Sequence, residues 1–191
     1  MQARLAAPEA ESDEEEGDSR PLTIEWDSIT IEPHSRGHPP VGRITPFVNY
    51  AIKFEQAYAS GDWTIVAPCF TEDAIYAVTG APGMAGEHVG RAAVLAHFDG
   101  MIRGFDQRFA SREVLVLEGP EERGDHVYMR WAAIYRLTGA PDLRLEGRTR
   151  AFFRGDQMSR LEDEIPAEYA ERTTAHLSQH GSKLASLAET R

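Results

Sequence analysis

Within residues 47–78 the apolar pattern changes period once, and few folds accommodate what lies on either side of the change. Phe47, Tyr50, Ala51, Phe54, Ala57 and Tyr58 recur at steps of three and four, so they share one helical face. Ser60-Gly61 ends that helix, because glycine enters the left-handed turn without strain. Asp62 is a suitable N-cap for a short second helix over residues 63–70. Pro68 removes a backbone donor there, which predicts a tight or kinked helix. After Glu72-Asp73 the residues become strand formers, with Ile75 and Tyr76 on opposite sides of the run.

Downstream the elements are mostly strands. Residues 79–90 carry four glycines and read as a loop at a pocket rim; their spacing is not a dinucleotide-binding fingerprint. Residues 91–102 form a helix with Val94, Phe98, Met101 and Ile102 on one side and His97 at its edge. Four strands follow, over residues 108–118, 126–137, 143–154 and 157–165. Short turns at 119–124, 139–141 and 154–156 make them an antiparallel meander. A short helix is expected after Pro166, ending at Gly181, with His176 and His180 as solvated residues on it.

The net charge of −11 is unevenly placed, with seven acids in the first twenty residues. That excludes a nucleic-acid partner, which needs basic patches, and marks residues 1–20 as a solvated, disordered tail. Residues 21–43 read as a hairpin or strap ending in a Pro/Gly loop, residues 44–166 as one domain, and residues 167–191 as a C-terminal helix and frayed end. Glu32, His34 and His38 invite a metal reading, but a Pro/Gly loop is a poor frame for converging ligands. No cofactor or metal is expected. Neither a signal peptide nor a membrane-length apolar run is visible, and Cys69 is the single cysteine; a cytoplasmic protein is expected. Cys69 itself reads as a packed core thiol.

The carboxylate most open to chemistry is Asp163. Alternation puts it on the same strand face as Leu161 and Ile165, where desolvation raises its pKa toward the range of a usable acid or base. On the strand over 126–137, His126, Tyr128, Arg130, Ala132 and Ile134 share one face, and Met129, Trp131 and Tyr135 belong to the other. Burial alone would send the first set outward. A pocket that needs polar groups would turn it inward, where Arg130 could hold Asp163 charged. Either a catalytic pair or a structural ion pair would then result. The strand over 143–154 leaves its faces open as well: small and apolar residues alternate with Arg144, Glu146, Arg148 and Arg150.

The order helix, Gly61-Asp62-Trp63, short helix, Phe70-x-x-Asp73-Ala74, strand, continued by Gly90-Arg91-Ala92-Ala93-Val94 and the four strands, resembles the nuclear transport factor 2-like superfamily. Its SnoaL-like branch is most similar, alongside ketosteroid isomerases and limonene epoxide hydrolases, over residues 44–166. The resemblance implies an α+β cone: a curved mixed β-sheet wrapped against helices around a deep apolar pocket. It also implies that Asp163 stands where SnoaL-like cyclases and the epoxide hydrolases carry a catalytic acid. Arg130 falls on the arginine of the hydrolases' Arg-x-Asp pattern, but Ala132 replaces its aspartate. The isomerase's catalytic positions fall on Val78, Phe54 and Arg148, which argues against a steroid isomerase.

The expected function is acid–base chemistry, such as cyclisation, isomerisation or dehydration, on a small apolar or aromatic molecule. Asp163 would carry the proton and Arg130 orient it, with Tyr128, His126 and His88 as further donors. Phe54, Tyr58, Phe70 and Tyr76 would line the pocket from the N-terminal half; Phe98, Met101, Ile102, Ile134 and Leu161 would complete it. A non-catalytic ligand-binding or association module on the same fold is the alternative. A homodimer is expected, with Met129, Trp131 and Tyr135 supplying apolar surface for it if they face outward.

Overall fold

A computed structural model describes residues 42–81 and 83–185. The acidic run, the strap and the Glu32/His34/His38 loop lie outside them. Helix α1 spans Ile44–Ser60 and stops at Gly61, whose φ of 74° lets its N–H reach the Ala57 carbonyl at 2.8 Å. Asp62 then caps a 3-10 helix, Trp63–Cys69, accepting from Thr64 N at 3.0 Å. The tightness expected from Pro68 is realised as this narrower helix.

Strand β1 (Phe70–Thr79) follows directly, and β2 (Gly86–Val89) pairs back on it. The segment read as a rim loop is therefore partly a strand. Helix α2 (Arg91–Gly104) and a 3-10 turn (Asp106–Arg108) lead into β3 (Ser111–Arg123). Then come β4 (His126–Arg136), β5 (Leu143–Arg154), β6 (Gln157–Glu164) and α3 (Ala167–His180). β3 is longer than expected. Gly119-Pro120 does not end it; the ladder shifts register between Val116 and Glu121 and resumes, so the turn falls at Gly124.

The six strands form one mixed sheet in the order β2-β1-β6-β5-β4-β3. All neighbouring pairs are antiparallel except β1 and β6, which run parallel with Val78 opposite Asp163. The α+β cone expected from the sequence is thus the observed fold. α1 and α2 cover the inner sheet face, and Phe47, Val66, Phe70, Phe98, Met158 and Leu161 are fully enclosed between them.

Both open faces resolve the same way. On β5, Leu143, Leu145, Gly147, Thr149 and Ala151 are buried and the arginines point to solvent. On β4, Val127, Ala133 and Tyr135 join the core, with Met129 and Trp131 packed against it. Arg130 is outside. The apolar surface proposed for a dimer contact therefore faces inward, and the outer face carries Arg130, Arg148 and Arg150 with Glu118, Glu146, Glu162 and Glu164. Among the described residues no helix is long and apolar enough to cross a membrane.

Candidate active site

The inner face leaves a cavity of about 180 Å³. Its walls are apolar: Phe47, Tyr50 and Phe54 from α1, Phe98, Met101 and Ile102 from α2, and Met129, Trp131 and Leu161 from the sheet. Cavities on the order of 150 Å³ admit a benzene ring, so this one suits a compact ring system.

Asp163 lies in that wall on β6, between β1 and β5. Both flanking strands supply a hydroxyl. Tyr76 Oη donates to Oδ2 at 2.7 Å, and Thr149 Oγ1 donates to Oδ1 at 2.5 Å. Thr149 in turn accepts from Trp131 Nε1 at 3.0 Å, which forces its own proton toward Asp163. Asp163 borders the cavity and stays partly accessible, yet its carboxyl is enclosed by protein. Burial raises its pKa above the usual aspartate value, against the lowering effect of the Thr149 and Tyr76 hydrogen bonds. Among the described residues no salt bridge reaches it.

Tyr50 is a residue that periodicity places in the core without further comment. It lines the cavity, and its phenol pKa is raised well above the ordinary value by burial, then by the nearby Asp163 charge. Its hydroxyl makes no hydrogen bond among the described residues, whereas those of Tyr76 and Tyr135 both do.

A second polar group borders the same cavity. Asp106, on the 3-10 turn after α2, is buried, and burial pushes its pKa up to about 6 although Arg112 and Tyr135 oppose the rise. Tyr135 Oη donates to its Oδ1 at 3.2 Å. Arg112 Nη1 stands 3.5 Å from its Oδ2, while Arg112 Nη2 donates to both oxygens of Glu55, at 2.7 and 2.6 Å. The ring of Tyr58 lies 3.9 Å below the guanidinium. The sequence reading passed over Asp106, because it sits in a turn without periodicity and owes its burial to residues far along the chain.

Of the five residues expected to do chemistry, only Asp163 reaches the cavity. Arg130 does not contact it. Arg130 is 45% exposed on the outer face, 3.6 Å from Glu118 and 3.7 Å from Glu146. Its alternation partners Met129 and Trp131 fill the inner side, and a guanidinium costs less in water than in an apolar wall. Tyr128 is also outside, beneath the Arg123 guanidinium at 3.6 Å. His126 contacts Asp125 and packs on Phe152. His88 stacks on His97, with ring centroids 3.7 Å apart, between β2 and α2. Phe54, Tyr76, Phe98, Met101, Ile102 and Leu161 line the cavity. Three expected lining residues do not: Tyr58 lies under Arg112, Phe70 is enclosed between Tyr50 and Phe98, and Ile134 is on the outer side of β4. Among the described residues no cluster of three or more histidine, cysteine or acidic groups could hold a metal.

Comparison with known proteins agrees with this architecture. The SnoaL-like domain family profile matches residues 51–165. No curated protein matches the sequence. Among solved structures, Bal32a from a soil-derived mobile gene cassette superposes with a TM-score of 0.53 at 19% identity, covering 69% of this chain and 98% of that one. An NTF2-like protein from Burkholderia xenovorans gives 0.50 at 20% identity, covering 68% and 96%. Another from Anabaena variabilis gives 0.53 at 15%, covering 64% and 88%. Identities this low establish a shared fold only. With the profile spanning more than half of the sequence, from within α1 to the residue after β6, the chain belongs to the SnoaL-like domain family.

Proposed function

We propose that the cavity is the active site of an enzyme that moves a proton on a small apolar or aromatic carbonyl compound, with Asp163 as the base. One observation carries this reading: a carboxyl with raised pKa borders an apolar cavity and is oriented by two neutral hydroxyls rather than neutralised by a cation. A carboxyl shifted upward by burial is a stronger base than an ordinary aspartate.

In the proposed step, Asp163 takes a proton from the carbon beside the carbonyl. The C–H bond pair moves into the new C=C bond, and the carbonyl π pair moves onto oxygen. Tyr50, whose hydroxyl has no hydrogen-bond partner among the described residues, donates a hydrogen bond to that oxyanion. Return of the proton at another carbon gives isomerisation; attack of the enolate on a second carbonyl gives cyclisation. The apolar walls exclude water from the charged intermediate. The binding-module alternative shares the cavity but needs no titrating carboxyl.

Asp163→Asn decides between them. The amide keeps the shape and removes the proton acceptor, so turnover of a substrate found by screening ring-bearing carbonyl compounds should fall about 10²–10⁴-fold, with little change in melting temperature. Unchanged turnover would refute Asp163 as the base; no turnover of any screened compound by the wild-type protein, with ligands still bound, would favour the binding module.

The same reading has the protein acting in the cytoplasm as a homodimer. The net charge of −11 and single cysteine support the first. The alternating arginine and glutamate rows of the outer face, which a two-fold copy could complement, support the second.

A further inference from the structure

The Asp106 group is not used by the proton transfer, yet it places three ionisable side chains, Glu55, Asp106 and Arg112, on the wall of the cavity. The side chains of Asp106 and Arg112 are only 6% and 8% exposed. Buried ion pairs of this kind return little stability unless every polar atom is matched, and among the described residues at least two are not. Arg112 spends Nη2 on Glu55, and among the described residues Nη1 has only Asp106 Oδ2 at 3.5 Å, too long for a good hydrogen bond. Asp106 accepts one hydrogen bond, from Tyr135 to Oδ1, and Oδ2 accepts none among the described residues. A donor and an acceptor thus stand side by side, both unsatisfied, at the edge of the cavity.

The group lies at the other end of the lining from Asp163. Asp163 is opposite Thr149, and Thr149 is opposite Met129. Tyr135 is six residues further along β4, directly opposite Arg112 on β3. At backbone level the two acids' neighbourhoods are separated by two strand spacings, about 10 Å, and by about 20 Å along the strand. Their side chains converge on one cavity.

We propose that the Asp106–Arg112 group is a second binding pole, which holds a hydroxyl on the end of the ligand remote from Asp163. This rests on the small-molecule reading of the cavity. A hydroxyl is the group that fits both unsatisfied atoms: it donates to Asp106 Oδ2 and accepts from Arg112 Nη1. An ammonium could satisfy only the acid. A carboxylate or phosphate could satisfy only the arginine, and would be repelled by Asp106 and Glu55. The ligand class is therefore a compact apolar ring system with a phenolic or alcoholic hydroxyl at its far end.

Three naphthalene probes test this by fluorescence titration of the full chain at neutral pH: a diol with hydroxyls at opposite ends, its monomethyl ether and its dimethyl ether. Methylation keeps the shape and the acceptor and removes the donor. The diol should bind tightest to the wild-type protein. In Asp106→Asn its affinity should fall about tenfold or more, as for loss of a hydrogen bond to a charged group, and its advantage over the monoether should shrink. Binding of the dimethyl ether should be unchanged, which reports an intact cavity. In Asp163→Asn the monoether should still outbind the dimethyl ether, because its hydroxyl can turn to Asp106. Equal binding of all three probes, or an unchanged diol preference in Asp106→Asn, overturns the second pole alone. Failure of every probe to bind overturns the small-molecule reading with it. A diol preference lost in Asp106→Asn, beside unchanged turnover in Asp163→Asn, keeps the pole and removes the proton-transfer mechanism.

Discussion

Asp163 is controlled by two hydroxyls, and Thr149 is the more informative of them because it links Asp163 to Trp131. Thr149→Val keeps the volume, removes one stabiliser of the carboxylate and leaves Trp131 Nε1 unpaired. The Asp163 pKa should rise further, and the acid limb of the pH–rate profile should move to higher pH. Thermal or urea unfolding should show a loss of about 1–3 kcal/mol. Asp106 has the opposite kind of leverage, on stability. Its folded pKa of about 6 lies above the ordinary 3.8, so the folded state binds its proton more tightly than the unfolded chain does. That contribution is complete below the ordinary value and is lost as pH rises through about 6. At 1.36 kcal/mol per unit the loss is about 3 kcal/mol. Asp106→Asn cannot titrate, so its unfolding free energy should lack this decline between roughly pH 4 and pH 7. Urea titrations of both proteins across that range measure it. Asp163 was legible in the sequence because Leu161 and Ile165 mark its face. Asp106 was not, since the groups that bury and hold it come from Arg112 and, 29 residues away, Tyr135.

Strand β4 shows what a period can and cannot decide. Alternation correctly separates His126, Tyr128 and Arg130 from Met129, Trp131 and Tyr135, but it does not say which set is inside. Two donors and a carboxyl from the strands β1, β5 and β6 already supply the polar end of the cavity, so β4 contributes apolar wall. The outer face, in water, takes the arginines. Arg130→Ala should accordingly change stability by no more than about 0.5 kcal/mol and leave turnover unaltered, as melting and activity assays can verify. The inner side of β4 is less tolerant. Gly147 on β5 lies opposite Trp131, and a Cβ there would stand within 2.8 Å of Trp131 Cε2. The indole cannot retreat freely, because its Nε1 is bonded to Thr149. Gly147→Ala should cost about 1–3 kcal/mol by overpacking, visible as a lower melting temperature. Most element types were readable from residues 47–78 onward because those helices and strands have a clear period; β2 was not, since its four residues sit in a glycine-rich stretch. The end of β3 was not, because Gly119-Pro120 looks like a turn and is absorbed as an irregularity within the ladder.

At the scale of the molecule, the proposed dimer is built on the outer sheet face. In its Arg150–Glu162, Arg148–Glu164 and Arg130–Glu146 pairs the arginines are about half exposed, while Glu162 and Glu146 are more enclosed. A dimer built on them should weaken as salt is raised, because such contacts are screened within about 10 Å at 0.1 M ionic strength. Sedimentation at low and high salt tests this; a monomer at both refutes the dimer. The topology has a further consequence, for the order of events during synthesis. β1 joins the sheet only by pairing with β2 and β6, and the Tyr76–Asp163 hydrogen bond spans 87 residues. A chain emerging from the ribosome can complete the β3–β4–β5 meander from local contacts, but the β1–β6 contact closes a far longer loop and must wait for the last strand. Until then Asp163 is an ordinary solvated aspartate. The enclosed carboxyl of Asp163 is thus assembled only when β6 docks, and a nascent chain stalled before β6 carries the cavity-lining helices without it.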